Sequence, residues 1–203
     1  MKRTQEMRPA RTARAGTARV TRTRAARPAR AAGSASAAQP AGPAGQIRIQ
    51  QARHTDHGAL RDFLTGLSVQ TRYLRFFAGA MPTSPAMLQI LAGGRPGVDA
   101  LVATRNGAII GHAMAVDTTG PCGDPMAEIG VVVADAWQGQ GVGSGLIRTL
   151  AARAGARGAT GLVMEVMAEN RRVLNMIAHR WPGARHAQSA AYVTVQARLP
   201  PGG

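Results

Sequence analysis

The chain predicts one α+β domain, a central mixed and mostly antiparallel sheet flanked by helices, behind a basic tail. Three observations carry that expectation. Segments of period two and segments of helical period follow one another as strand, helices, three strands, helix, strand, helix, strand. Asn106 and Gly107 join two apolar runs as the dipeptide of a tight antiparallel hairpin. Gly139, Gly141 and Gly143 stand between a valine run and a helical pattern, which marks a strand, a backbone-exposing loop and a helix in succession.

Taken in order, residues 46–50 alternate and predict an edge strand. Thr55 or Asp56 is placed to cap a helix carrying Leu60, Phe63, Leu64 and Leu67. Residues 73–77 and 84–91 are short helical patterns, the second with Pro85 in its first turn, where a missing amide costs nothing. Residues 99–105 and 108–117 form the hairpin, and a loop over 118–125 leads to the strand that holds Glu128 and Val131, Val132 and Val133. Beyond the glycines, Leu146, Ile147, Leu150, Ala151 and Ala154 recur at helical spacing, and residues 162–166 predict the next strand. A helix over 171–180 and a strand over 191–199 complete the chain, which has no internal repeat.

Composition bounds the function classes. The 203 residues are 45% hydrophobic, enough for one core, and no run of about 18 apolar residues is present to span a membrane. Cys122 is the single cysteine, which excludes an intrachain disulfide and a Cys-x-x-Cys pair and suits a cytoplasmic location. His54 and His57 lack a third ligand at metal spacing, and no metal is expected. Charge is unevenly placed: residues 1–45 hold ten basic residues against Glu6 alone, +9 of the total +15. This Arg-, Ala- and Pro-rich tail has almost no large apolar side chain, so it is expected to be disordered ahead of a domain over 46–203. Weak polyanion or nucleic-acid contact, a transit peptide and a tail without a partner are the three readings open to it.

The glycine loop carries the chemistry. Amides at the start of a helix point along its axis and bear partial positive charge, so a pyrophosphate can rest on them without a lysine. A dinucleotide fingerprint fails here, because counting from Gly139 puts Ser144 where the last glycine belongs, and counting from Gly141 puts Leu146 there. A Walker A loop fails for want of a lysine. What remains is Gln138-x-x-Gly141-x-Gly143, and this segment resembles the acetyl-coenzyme A loop of the GNAT acyltransferases. The likeness runs without a gap from Glu128 to Asn170. Upstream, Tyr73-Leu74-Arg75-Phe76-Phe77 resembles the first helical region of the GNAT module in bacterial protein lysine acetyltransferases.

The resemblance implies a GNAT fold, acetyl-CoA as co-substrate and direct transfer of its acetyl group to a primary amine, with a protein lysine as acceptor. It places the pantetheine arm against the backbone of Val131, Val132 and Val133. The pyrophosphate falls on Gly139, Gln140, Gly141, Val142, Gly143 and Ser144, with a further contact from Asn170. It makes Glu128 the candidate base for an amine whose unperturbed pKa is about 10.4. By position alone Glu128 reads first as a strand carboxylate paired with an Arg, Glu165 as structural before a second cleft carboxylate, and Asn170 as a helix cap, a role compatible with the cofactor contact. The chain departs from the family where Ile177 occupies the place of a Tyr that serves as general acid in many members, and where Arg180-Trp181-Pro182-Gly183 predicts an altered helix end. A small-molecule amine acceptor and an acyl-CoA-binding regulator without turnover are the alternatives. A nucleic-acid module driven by the tail is the third.

Overall fold

A computed structural model of the chain describes residues 45–77 and 83–200. The basic tail expected over 1–45 lies, Gly45 apart, outside the described residues, as does the loop segment 78–82. Among the described residues there are seven strands: β1 (Arg48–Gln51), β2 (Val98–Arg105), β3 (Ala108–Thr119), β4 (Pro125–Val133), β5 (Gly161–Met167), β6 (Arg185–Gln188) and β7 (Tyr192–Arg198). They form one sheet in the order β1-β2-β3-β4-β5-β7-β6. Only β4 and β5 pair in parallel, so the sheet is mixed and mostly antiparallel, as the sequence predicts. Asn106 (φ 50°) and Gly107 (φ 80°) both take the left-handed conformation that a two-residue hairpin requires, and β2 turns into β3 at the expected dipeptide.

The helices are α1 (His57–Thr65), α2 (Val69–Phe76), α3 (Pro85–Leu91), α4 (Val142–Ala156) and α5 (Arg171–Arg180). Strand alternation sends neighbouring side chains to opposite sides of the sheet, and both sides are covered over its centre. On one, Leu60 and Leu64 of α1 and Leu88 and Leu91 of α3 pack on Val102 and Val132. On the other, Leu146 and Leu150 of α4 and Ile177 of α5 pack on Leu101, Ile129, Leu162 and Val195. Each such fully buried side chain contributes about 1.5–3 kcal/mol by leaving water. Close approach of α4 to β3 depends on Gly111, where a Cβ would stand 3.0 Å from Leu146 Cδ1 and 3.3 Å from Val142 Cγ1.

The far end of α4 is held by charge. Asp99, 6% exposed on β2, accepts from Arg153 Nε (2.7 Å) and Nη2 (2.9 Å) and from Arg157 Nη1 (2.6 Å). Burial alone would raise the Asp99 pKa, but the two guanidinium groups outweigh it and hold the carboxyl below its usual range. Arg153 in the last turn and Arg157 at the C-cap also oppose the negative end of the helix dipole.

Local details depart from expectation at two places. Asp56 stands at the N-cap of α1 without capping it, since its carboxylate accepts instead from the Arg53 amide at 2.8 Å, across a 3-10 turn over His54–Asp56. After α5 the chain turns at Trp181 and forms β6, an edge strand that the sequence did not predict. Every residue of β6 is exposed, so no apolar alternation marks it; its pairing with β7 alone makes it a strand.

Candidate acetyl-CoA cleft

Strands β4 and β5 run side by side for three residues only, the last pair being Glu128 with Val163. From there β4 continues along β3 to Val133 while β5 continues along β7, so the β4 edge from Ile129 to Val133 has no strand partner on the β5 side. An open edge of this kind accepts an extended ligand as an added strand. The parting opens a cleft of about 630 Å³ lined by all three sources: β4, the glycine loop with α5, and α2.

The glycine loop forms the entrance. Val133 leads through a short 3-10 turn, Asp135–Trp137, to Gly139 and Gly141, which have φ 80° each. Gly141 is the N-cap of α4, and the first helical bond runs from the Gly145 amide to the Gly141 carbonyl. The amides of Val142, Gly143 and Ser144 therefore precede any intrahelical partner and make an anion cradle at the positive end of a 15-residue helix. A second positive group lies there, since a Cβ on Gly139 would collide with the guanidinium of Arg172 on α5.

The loop glycines differ in what they require. Gly141 needs its left-handed backbone, although an added Cβ would meet nothing within 4 Å, whereas Gly143 has ordinary helical backbone and an added Cβ would sit 3.5 Å from Val133 Cγ2. Gly141→Ala is expected to lower stability by about 1–2 kcal/mol through strain, and Gly143→Ala to leave it equal or slightly higher. Urea unfolding of the two variants beside the wild type measures the contrast, and equal losses would overturn this account of the loop.

Helix α2 is tied to this loop by side chains. Ser68 caps it by accepting from the Thr71 amide at 3.1 Å. Asp135 accepts from the Ser68 amide (3.0 Å), from Ser68 Oγ (2.6 Å) and from Thr71 Oγ1 (2.7 Å). Burial acts to raise the Asp135 pKa, yet these hydrogen bonds prevail and bring it down to about 2. Gln138, the first residue of the loop motif, donates from Nε2 to Thr71 Oγ1 and to the Val133 carbonyl, each at 3.1 Å. The Gln138 side chain therefore links loop, strand and helix.

Of the residues predicted from the sequence, Glu128, Val131, Val132, Val133, Gly139, Gly141, Gly143, Ser144 and Asn170 all line the cleft. Gln140 and Val142 do not. Gln140 donates to the Ala136 carbonyl at 2.8 Å, and Val142 is 4% exposed in the core, so any part they take in the cradle is through the backbone. Asn170 Oδ1 accepts from the Val173 amide at 3.3 Å and caps α5. Glu128 is exposed to the cleft, and Glu165 of β5 lines it too as a second carboxylate. Ile177, in the place of the expected Tyr, is 1% exposed against the core and carries no proton. Sequence reasoning missed the roles of two arginines, Arg75 and Arg172, which line the cleft from α2 and α5. Only Arg75 had a signal, its place in the run from Tyr73 to Phe77. Among the described residues no group of three His, Cys, Asp or Glu side chains is placed to hold a metal ion.

Comparison with known proteins bears on this geometry. The profile described as "Acetyltransferase (GNAT) family" matches residues 68–180, more than half of the chain. Among solved structures, the GNAT domain of PAT from S. lividans is similar at 25% identity and TM-score 0.66, over 75% of this chain and 90% of that one. YncA from Salmonella typhimurium, a putative acetyltransferase solved with its cofactor acetyl-CoA, shares the fold at 18% identity and TM-score 0.61, over 78% and 96%. PaiA N-acetyltransferase from Thermoplasma acidophilum, solved with coenzyme A, does so at 12% identity and TM-score 0.61, over 76% and 99%. No curated protein sequence matches the chain.

Proposed function

Because the chain belongs to the GNAT family of acetyltransferases, we propose that it binds acetyl-CoA in this cleft and transfers the acetyl group directly to a primary amine. The observation that carries the reading is the parting of β4 from β5 directly ahead of a glycine loop and a helix N-terminus. It provides one continuous path for a long, partly extended, phosphorylated thioester. Pyrophosphate rests on the amides of Val142, Gly143 and Ser144 with Arg172 beside Gly139, and the pantetheine arm lies along the open edge of Val131, Val132 and Val133. These groups are fixed before the substrate arrives, so binding requires little reorganisation.

Glu128 stands where the strands part, at the reacting end of that path. It takes a proton from the incoming ammonium, directly or through one water. The neutral nitrogen then bonds to the thioester carbon and passes its second proton to water, the carbon–sulfur bond breaks, and the sulfur leaves as thiolate. With Ile177 aliphatic and buried, water supplies the proton to the departing thiolate. A protein lysine is the acceptor supported by the likeness to the PAT domain, and a small amine is the second reading. No helix among the described residues is long and apolar enough to cross a membrane, and a cytoplasmic setting fits the single exposed Cys122.

The test is thiol release from acetyl-CoA with and without lysine-bearing proteins and small amines, beside calorimetric titration with CoA. Acceptor-dependent release with micromolar binding is expected. Binding without release on any acceptor would favour an acyl-CoA-binding regulator, and absence of binding would overturn the assignment of the loop.

A further inference from the structure

Among the described residues Arg75 forms no ion pair, and its Nε has no hydrogen-bond partner. It projects from the last turn of α2 into the cleft, and its guanidinium lies across β4 at Gly130, so closely that a Cβ on that glycine would collide with it. The ring of Phe76 lies 5.2 Å from the guanidinium carbon. Nε is buried without a hydrogen-bond partner. The ion pairs found among the described residues belong to Asp99 and Asp117, not to Arg75. Burial pulls the Arg75 pKa below its usual value, and the charge of Glu128 opposes that without forming a contact pair. An arginine stays charged in proteins, so this is a desolvated cation that the Phe76 ring and the field of Glu128 offset only in part.

A guanidinium so placed is suited to a planar anion, which it grips through two parallel hydrogen bonds. Acetyl-CoA does not bring one there. Its phosphates belong at the helix N-terminus beside Arg172, and its thioester is uncharged. The acceptor is the remaining source. Glu128, two residues before Gly130 on the same strand, faces the same side of the sheet as the glycine under the guanidinium. One cleft wall thus presents a carboxylate for an ammonium and, beside it, an unpaired cation.

We propose that Arg75 binds a carboxylate carried by the acceptor, so that the substrate class is an amine bearing a nearby carboxylate. This rests on the acetyl-transfer reading and narrows its acceptor. The carboxylate comes from a free amino acid or from an acidic residue beside an acceptor lysine. Both present the same chemistry to Arg75. Gly130 belongs to the arrangement, since a Cβ there would collide with the guanidinium where it lies against β4.

The experiment pairs each acceptor with its uncharged counterpart: free amino acids against their amides, and lysine peptides flanked by Glu against the same peptides flanked by Gln. Rates of thiol release are taken for the wild type, Arg75→Gln and Gly130→Ala, with calorimetric binding of the N-acetylated acid and amide to the CoA complex as a readout that needs no turnover. In one of the two series the wild type is expected to favour the acid at least tenfold in kcat/KM and in product binding. In Arg75→Gln that preference collapses to within about twofold, and Gly130→Ala moves the same way by displacing the guanidinium. Thermal unfolding of Arg75→Gln is expected at or above the wild-type midpoint, because an unpaired buried cation has been removed. Acids and amides handled alike by the wild type, in both rate and binding, would overturn the inference and leave acetyl transfer standing. A fall of several degrees in the midpoint of Arg75→Gln would assign the residue to the fold instead. Failure of the wild type to bind CoA would remove the underlying reading and this inference with it.

Discussion

Glu128→Gln is expected to lower kcat by about two to four orders of magnitude and to leave the calorimetric affinity for CoA within about threefold of the wild type. The substitution keeps the size and hydrogen-bonding outline of the side chain while removing its ability to hold a proton. Glu128 sits at the last paired position of β4 and β5, exposed to the cleft, so its change should not disturb the core. A neutral amine is rare at pH 7 when its pKa is about 10.4, and if Glu128 is the base the variant should work only on that small fraction. Raising the pH should therefore recover activity in the variant more steeply than in the wild type. Unchanged kcat at pH 7 would reject Glu128 as base and turn attention to Glu165, the other carboxylate lining the cleft.

Acid is expected to weaken the fold through His112. This residue lies in the middle of β3, 1% exposed, with Nε2 2.8 Å from the Leu91 carbonyl at the end of α3. The carbonyl can only accept, so Nε2 carries the proton and donates. Burial lowers the His112 pKa from 6.5 to about 4; the bond to Leu91 opposes that shift, and the nearby charge of Arg75 adds to it. The unfolded chain binds a proton at this position below pH 6.5, while the folded chain binds it only near pH 4. Stability is therefore fully present above pH 6.5 and falls as the pH drops through that window, by about 3 kcal/mol at its foot. Urea unfolding at pH 7.5, 6 and 4.5 measures it against His112→Gln, whose amide retains a donor for Leu91 without titrating. The wild type should lose stability more steeply than the variant between pH 6.5 and 4.5. Parallel slopes would mean that carboxylates, not His112, govern acid sensitivity.

Element order, hairpin and glycine loop were legible in the sequence because each is set locally. Asn106 and Gly107 take positive φ with little strain, Gly141 does likewise, and strand and helix periods declare which side chains enter a core. The family likeness rested on the same local marks, and the match over residues 68–180 bears it out. Less visible was β6, whose four exposed residues become a strand only through β7. Asp56 could not be assigned either, since the choice between capping α1 and binding the Arg53 amide depends on how the preceding turn is wound.

The cleft divides along the same line. Its backbone parts, the glycines and the valine strand, were readable as a phosphate-binding junction because short-range conformation fixes where amides point. Its charged side chains were not. Arg75 is separated from Gly130 by more than fifty residues, and Asp135 from Ser68 by 67, yet they meet because α2 packs over β4. Local sequence determined the elements and the cradle, since those follow from φ, ψ and period alone. Tertiary packing alone decided where β4 leaves β5, which cations enter the cleft and which of them stays unpaired, because long-range contacts between elements carry no signature in any one segment.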